Sequence, residues 1–346
     1  MSFALPQLFP GIETGLNQIG FLFGAGTSKE AGYPLMGDLT KQVVESLTFA
    51  SKSALEEILA QKQITYNAEE GSPNIEIISD LVIEASINTQ KPSYSTVETE
   101  IRRSISDVIL SNKDPDLTDH IRFINALKSR SHGTNSKVTI LTTNYDVLFE
   151  LAAGEAGVRI ETGFDGALKR TFLPSVFDLA RGKLEEGRFS NRNELQINLI
   201  KLHGSISWRK ENGRVIESGI GLDELETERA LILPRRKKLI ETLSEPFDQL
   251  FTKSSRLLGT DCKYLVSCGF SFGDKHINDQ LILPNLSEGK IRLTALCGEE
   301  PECLDTLKAF PAFQIGLPDR CISNNIESNE GTDLWKFSQL TNTITP

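Results

Sequence analysis

The sequence predicts an α/β fold: a mostly parallel sheet with helices on both faces, interrupted by a helical insertion. Three observations predict it. Short apolar runs alternate with segments of helical periodicity, the pattern of parallel strands joined by helical crossovers. Four of those runs end in polar or glycine-rich segments, Gly24-Ala25-Gly26-Thr27-Ser28, Thr142-Thr143-Asn144-Tyr145-Asp146, Lys201-Leu202-His203-Gly204-Ser205 and Gly269-Phe270-Ser271-Phe272-Gly273-Asp274. From about residue 41 to 136, apolar residues recur at helical spacing with no strand-like run among them.

In chain order, residues 19–23 are the first strand, closed by Gly24. Thr27 and Glu30 stand at capping-box spacing and predict a helix start there. The insertion, 41–136, carries three stripes: Ile75, Ile78, Val82 and Ala85; Val97, Ile101, Ile105 and Val108; Leu117, Ile121, Ile124 and Leu127. Ser72-Pro73 reads as a cap followed by proline at the first helical position, and 71–73 and 91–95 read as the connecting loops. Strand character returns at 138–143, followed by a helix over 145–156. The run 195–203 is the next strand, and 206–209 with 214–217 predict a hairpin turning at 211–213. Residues 230–233 form a short apolar run closed by Pro234. A helix over 245–258, a strand at 264–268, a helix from Lys275, a strand at 291–297 and a helix near 302–310 complete the pattern. Residues 1–40 and 137–346 together form one Rossmann-like domain, with 41–136 set into it.

Composition bounds the function. The 346 residues are 39% hydrophobic and carry 37 Lys+Arg against 47 Asp+Glu, a net charge of −10. Coating nucleic acid requires a basic surface, so direct nucleic-acid binding is not expected. No apolar run approaches the length of a membrane span, and the first residues lack the basic-then-apolar order of a signal peptide. Five cysteines, with no Cys-x-x-Cys pair among them, argue against a structural zinc site and a disulfide framework. A cytoplasmic, reduced setting is expected.

Each strand-end motif admits a chemical and a structural role. Small residues at Gly24, Ala25, Gly26 and Ser28 let a pyrophosphate approach backbone N–H groups; the same residues also make a tight turn that binds nothing. Thr143, Asn144 and Asp146 offer a donor and acceptors for a carboxamide and a ribose hydroxyl, or else a helix cap. His203 alone of the four histidines ends a core strand; it is either a packed ring or a base that titrates near neutrality. Gly269 and Ser271 face an adenosine in the chemical reading, while Asp274 caps the next helix. The basic run Arg235-Arg236-Lys237-Lys238 reads as a solvated face.

Taken in order and spacing, these segments resemble the sirtuin-like NAD-binding fold. Gly24–Ser28 with Ala31-Gly32-Tyr33-Pro34 resembles its cofactor loop, Thr143-Asn144-Tyr145-Asp146 its nicotinamide-pocket motif, His203-Gly204 its catalytic His-Gly, and 269–274 its adenosine-side strand end. Protein-deacylating sirtuins continue Pro with Asp-Phe-Arg and hold zinc with two Cys-x-x-Cys pairs; here Leu35-Met36-Gly37-Asp38 follows Pro34, and the pairs are missing. That combination resembles the sirtuin-like domains of bacterial anti-phage defence systems, which hydrolyse NAD to nicotinamide and ADP-ribose. The resemblance implies NAD as substrate, no metal, a homo-oligomer, and a HerA-type ATPase as a partner. It also implies Asn144, Asp146 and His203 as catalytic residues, with Gly24, Ala25, Gly26, Ser28, Thr143, Gly269 and Ser271 along the dinucleotide. The alternatives are an NAD-dependent protein deacylase or ADP-ribosyltransferase, and a non-catalytic NAD or ADP-ribose sensor acting through a partner.

Overall fold

A computed structural model of the chain describes residues 5–12, 16, 18–132, 136–180, 182–191, 194–219, 229–231, 245–324 and 326–346. The strands in chain order are β1 (Gln18–Phe23), β2 (Lys137–Thr142), β3 (Arg159–Glu161), β4 (Phe164–Gly166), β5 (Lys169–Phe172), β6 (Gly182–Glu185), β7 (Arg188–Asn191) and β8 (Gln196–Lys201). They continue with β9 (Gly204–Glu211), β10 (Arg214–Ser218), β11 (Arg229–Leu231), β12 (Cys262–Cys268), β13 (Arg292–Leu296), β14 (Phe313–Gly316), β15 (Cys321–Ser323) and β16 (Ile326–Ser328). The main sheet has nine strands in the order β16-β15-β14-β13-β12-β1-β2-β8-β3. All its pairings from β14 to β3 are parallel, and only β15 and β16 run antiparallel at one edge. Its central six, β8-β2-β1-β12-β13-β14, follow the 3-2-1-4-5-6 order of dinucleotide-binding sheets, with the reversal of direction between β1 and β12.

Alternation along the central strands sends side chains to two faces, and both are covered. Phe21, Phe23, Ile140 and Leu199 pack into one cluster; Leu22, Leu141, Ile200 and Leu265 pack into another. Helices fall between the strands: α1 (Met36–Ser46), α2 (Phe49–Gln61), α3 (Ile75–Thr89), α4 (Pro92–Ser111), α5 (Thr118–Arg130), α6 (Leu148–Glu155), α7 (Phe247–Leu257) and α8 (Phe337–Ile344). The stretch 41–136 divides by its packing. Apolar residues of α1–α4 build a core of their own, to which Tyr145, Val147, Ile206 and Leu231 also belong. Phe123, Ile124 and Leu127 of α5 instead pack on the sheet beside Phe21 and Phe23.

Several local expectations are corrected. Thr27 and Glu30 form no capping box: residues Ala25–Ser28 make one 3-10 turn, Thr27 Oγ1 donates to the Gly24 carbonyl at 2.9 Å, and Glu30 accepts from Ser338 at 3.1 Å. The first long helix begins only at Met36. Asn74, not Ser72, caps α3, accepting from the Ile77 N–H at 3.1 Å. Residues 92–95 are the first turn of α4, with Pro92 at the start where its missing N–H costs nothing. The helix expected from Tyr145 starts at Leu148. The hairpin β9–β10 is present, turning through Asn212 and Gly213, both in the left-handed region that a two-residue hairpin turn requires. It belongs to a second, five-stranded antiparallel sheet, β11-β9-β10-β5-β4, which the apolar pattern does not announce. Residues 232–234 and the run Arg235–Lys238 lie outside the described residues. Among the described residues no helix is long and apolar enough to cross a membrane, and no group of three or more His, Cys, Asp or Glu is arranged to hold a metal ion.

Candidate active site

The strands β12, β1, β2 and β8 are consecutive neighbours, so their C-terminal ends emerge along one edge of the sheet. The ladder runs just past them: Gly24 N–H bonds to Cys268 O at 3.3 Å, Thr143 N–H to Phe23 O at 3.1 Å, and Leu202 N–H to Thr142 O at 2.8 Å. All four motifs are thereby held in register at the point where the strand order reverses.

At the centre stands Ser28, 2% exposed. Its hydroxyl donates to Asp146 Oδ2 at 2.7 Å and accepts from Asn144 Nδ2 at 2.9 Å. The same Asn144 amide also reaches Gly24 O at 3.0 Å and Thr27 Oγ1 at 3.2 Å. The other Asp146 oxygen accepts the Leu148 N–H, two residues on at the start of α6, at 3.1 Å. Asp146 therefore engages the start of α6, while the Asn144 amide holds the glycine turn. Its donor capacity is occupied, leaving the carbonyl oxygen as the group with which Asn144 addresses a ligand.

His203 lies at the corner between the two sheets, after β8 and directly before β9. Its Nε2 is 2.8 Å from Asp274 Oδ2, with both side chains buried. The other Asp274 oxygen accepts the N–H groups of His276 and Ile277 at 3.0 and 3.3 Å. Capping by Asp274 is thus one half of its work, and holding the imidazole is the other. In a neutral ring Nε2 carries the proton toward the carboxylate, and the lone pair sits on Nδ1. The Tyr145 ring lies 6.3 Å from the imidazole, centroid to centroid.

The glycines serve the protein's own packing. A Cβ on Gly24 would stand 2.5 Å from the Gly269 carbonyl oxygen, and one on Gly26 would stand 2.5 Å from Gly269 Cα. Gly269, at φ +65°, would meet the Thr27 nitrogen at 2.5 Å. The turns after β1 and β12 thus press backbone to backbone, sealed by Gly26 N–H to Gly269 O at 3.0 Å. Of the remaining residues expected along a dinucleotide, Ala25 and Ser271 are exposed at the rim and Thr143 is half-buried. Beside this edge a cavity of about 550 Å³ opens between the loop 29–35 and helices α1 and α4. None of the residues expected along a dinucleotide lines it, nor do His203 and Asp274; Tyr33 does, and burial and then the charge of Asp146 push its hydroxyl up to about 12.

Sequence reasoning missed the Asp274–His203 contact and the buried Lys201. Lys201 is 1% exposed, and its ammonium contacts the Asp146 carbonyl, Glu150 Oε1 at 2.9 Å and Ser205 Oγ at 2.9 Å. Its place in the Lys201–Ser205 motif was legible; the direction of its side chain was not.

Fold and site together define an α/β protein whose sheet follows the strand order of dinucleotide-binding folds, with a histidine–carboxylate pair at the edge where that order reverses. Residues 138–285 match the protein family described as the SIR2-like domain, which supports a sirtuin-like assignment and use of NAD. No curated protein matches the chain significantly. The matched span contains Asn144, Asp146, His203 and Asp274; the glycine turn precedes it and joins it through Ser28.

Proposed function

We propose that this chain is an NAD glycohydrolase, releasing nicotinamide and ADP-ribose. The observation that carries the reading is the convergence of the Asn144–Ser28–Asp146 cluster and the His203–Asp274 pair on the one edge where such a sheet takes a dinucleotide. Nicotinamide is already a cationic leaving group, so the C–N bond breaks through an oxocarbenium-like state without a general acid. Nicotinamide departs with the bonding electron pair, and a water oxygen bonds to the ribose carbon. The Asn144 carbonyl orients that water, and His203 Nδ1 takes its proton while Asp274 holds the imidazolium. Both Asp146 oxygens already accept hydrogen bonds, so Asp146 acts by fixing Ser28 and the turn.

A role in anti-phage defence through NAD depletion, as a homo-oligomer with a HerA-type ATPase, belongs to the same proposal. It is supported by the sirtuin-like motifs in a chain without Cys-x-x-Cys pairs. The test is to incubate the purified chain with NAD, alone and with a co-encoded ATPase, and follow nicotinamide. Free ADP-ribose is the expected product. O-acetyl-ADP-ribose formed with an acetylated peptide, or saturable NAD binding without nicotinamide release in either condition, would overturn the hydrolase reading.

A further inference from the structure

One group at this edge is buried, charged and unused by the proposed chemistry. Lys201 ends β8, two residues before His203, and its side chain is withdrawn from solvent. A lysine ammonium has three protons, and here it meets three acceptors: the Asp146 carbonyl, the Glu150 carboxylate and the Ser205 hydroxyl. Ser205 is tied in turn to Ser207, Oγ to Oγ at 2.9 Å. Burying an ammonium is costly unless it is fully paired, and one of its three partners here is the backbone of the loop that carries Asn144 and Asp146.

The geometry of Asp146 shows what the contact does. Its carboxylate is engaged by Ser28 and the Leu148 N–H, and its carbonyl by Lys201. The residue at 146 is therefore held from its side chain by the turn after β1 and from its backbone by β8. Its peptide follows directly on Tyr145, whose ring lies 6.3 Å from the His203 imidazole, so rotating it would shift the loop relative to His203. Glu150, whose carboxyl burial pushes up against the opposing pull of Lys201, supplies the counter-charge from the first turn of α6.

We infer that Lys201 is a positioning residue: its buried ammonium fixes the backbone of the 144–146 loop against the strand end that carries His203. The inference rests on the hydrolase reading for its effect on rate, though not for its effect on the loop. Lys201→Met leaves the part-buried Glu150 carboxylate without a cation, so this variant alone would confuse lost positioning with lost folding. The paired variant Lys201→Met/Glu150→Gln removes both charges and still deprives the Asp146 carbonyl of its donor, with Glu150→Gln alone as the reference for the charge change.

In the full chain, the paired variant is expected to recover thermal stability, to keep KM for NAD, and to lose about 10²-fold in kcat, the scale of a misplaced reacting group. Amide hydrogen exchange over 143–148 is expected to accelerate. A purely structural lysine would give kcat that recovers along with stability, and that result overturns the proposal. Should the wild-type chain release no nicotinamide, the hydrolase reading fails while exchange over 143–148, which needs no turnover, still decides for or against Lys201. Unchanged exchange there refutes it.

Discussion

Asp274→Asn separates the two roles of one side chain. Asp274 Oδ1 accepts the His276 and Ile277 N–H groups, while Oδ2 faces His203 Nε2 at 2.8 Å. Asparagine keeps an oxygen for the cap, and Asn and Asp are nearly equivalent in that position, so the ~1 kcal/mol typical of losing a cap is retained. Toward His203 the substitution presents an N–H instead of an acceptor. The imidazole then turns its lone pair to Nε2 and its proton to Nδ1, and a charge-assisted bond becomes a neutral one at a cost of about 1 kcal/mol. In the proposed mechanism the base is then lost from Nδ1. Loss of a positioned base costs about 10²–10⁴-fold, or roughly 3–5 kcal/mol of barrier. The assay is initial-rate nicotinamide release against NAD concentration, with thermal unfolding in parallel. Near-native melting with that loss in kcat is expected. Wild-type kcat in Asp274→Asn, beside an inactive His203→Ala, would reduce Asp274 to a helix cap and refute the dyad.

Three further outcomes follow from the same geometry. His120 is 1% exposed between the Phe149 and Phe337 rings, and burial holds its pKa down to about 4 from 6.5, with Asp146, Asp119 and Asp116 offsetting only part. The unfolded chain therefore binds that proton first, so stability is full above about pH 6.5 and falls toward pH 4, by about 3 kcal/mol in all; His120→Phe should flatten this stretch of a denaturant-midpoint profile, and an unchanged slope would contradict the assignment. Gly26→Ala, with its Cβ 2.5 Å from Gly269 Cα, should cost on the order of 1–3 kcal/mol by forcing the two turns apart, and a melting temperature equal to wild type would mean they do not meet. Ser28→Ala leaves Asp146 and Asn144 without their shared hydroxyl and should cost about 1–3 kcal/mol along with nicotinamide release; full stability and activity together would deny Ser28 its central place.

The strand ends were legible because glycines and polar residues closing apolar runs leave a direct trace in sequence. What they touch was not. The Asp274–His203 pair depends on sheet order and on a second carboxylate oxygen, and capping chemistry alone already accounts for an aspartate at that position. Thr27 and Glu30 misled because a three-residue separation serves a single 3-10 turn as well as a capping box. The glycines at 24 and 26 were read as room for a pyrophosphate and Gly269 as facing an adenosine; in the fold each makes room for another backbone. Strands β4 and β5 carry Asp165, Lys169 and Arg170 within three and four residues, so no apolar run marks them. The burial of Lys201 was invisible for the opposite reason: a lysine at a strand end ordinarily points to water.

The loop 144–147 explains why these parts of the chain depend on one another. Ser28, from the turn after β1, holds its side chains; Lys201, from β8, holds its backbone. Tyr145 and Val147, on either side of Asp146, are packed into the core of helices α1–α4, and so is Ile206, three residues after His203. Three separate elements thus fix four residues, which is how a site keeps its geometry without a ligand to impose it. The SIR2-like span 138–285 contributes one of the three anchors; the turn after β1 and the helices supply the others from earlier in the chain. A force applied to α1–α4 would therefore reach Asp146 and His203 through buried side-chain contacts, with no need for the sheet itself to deform, because a packed core transmits displacement and does not absorb it.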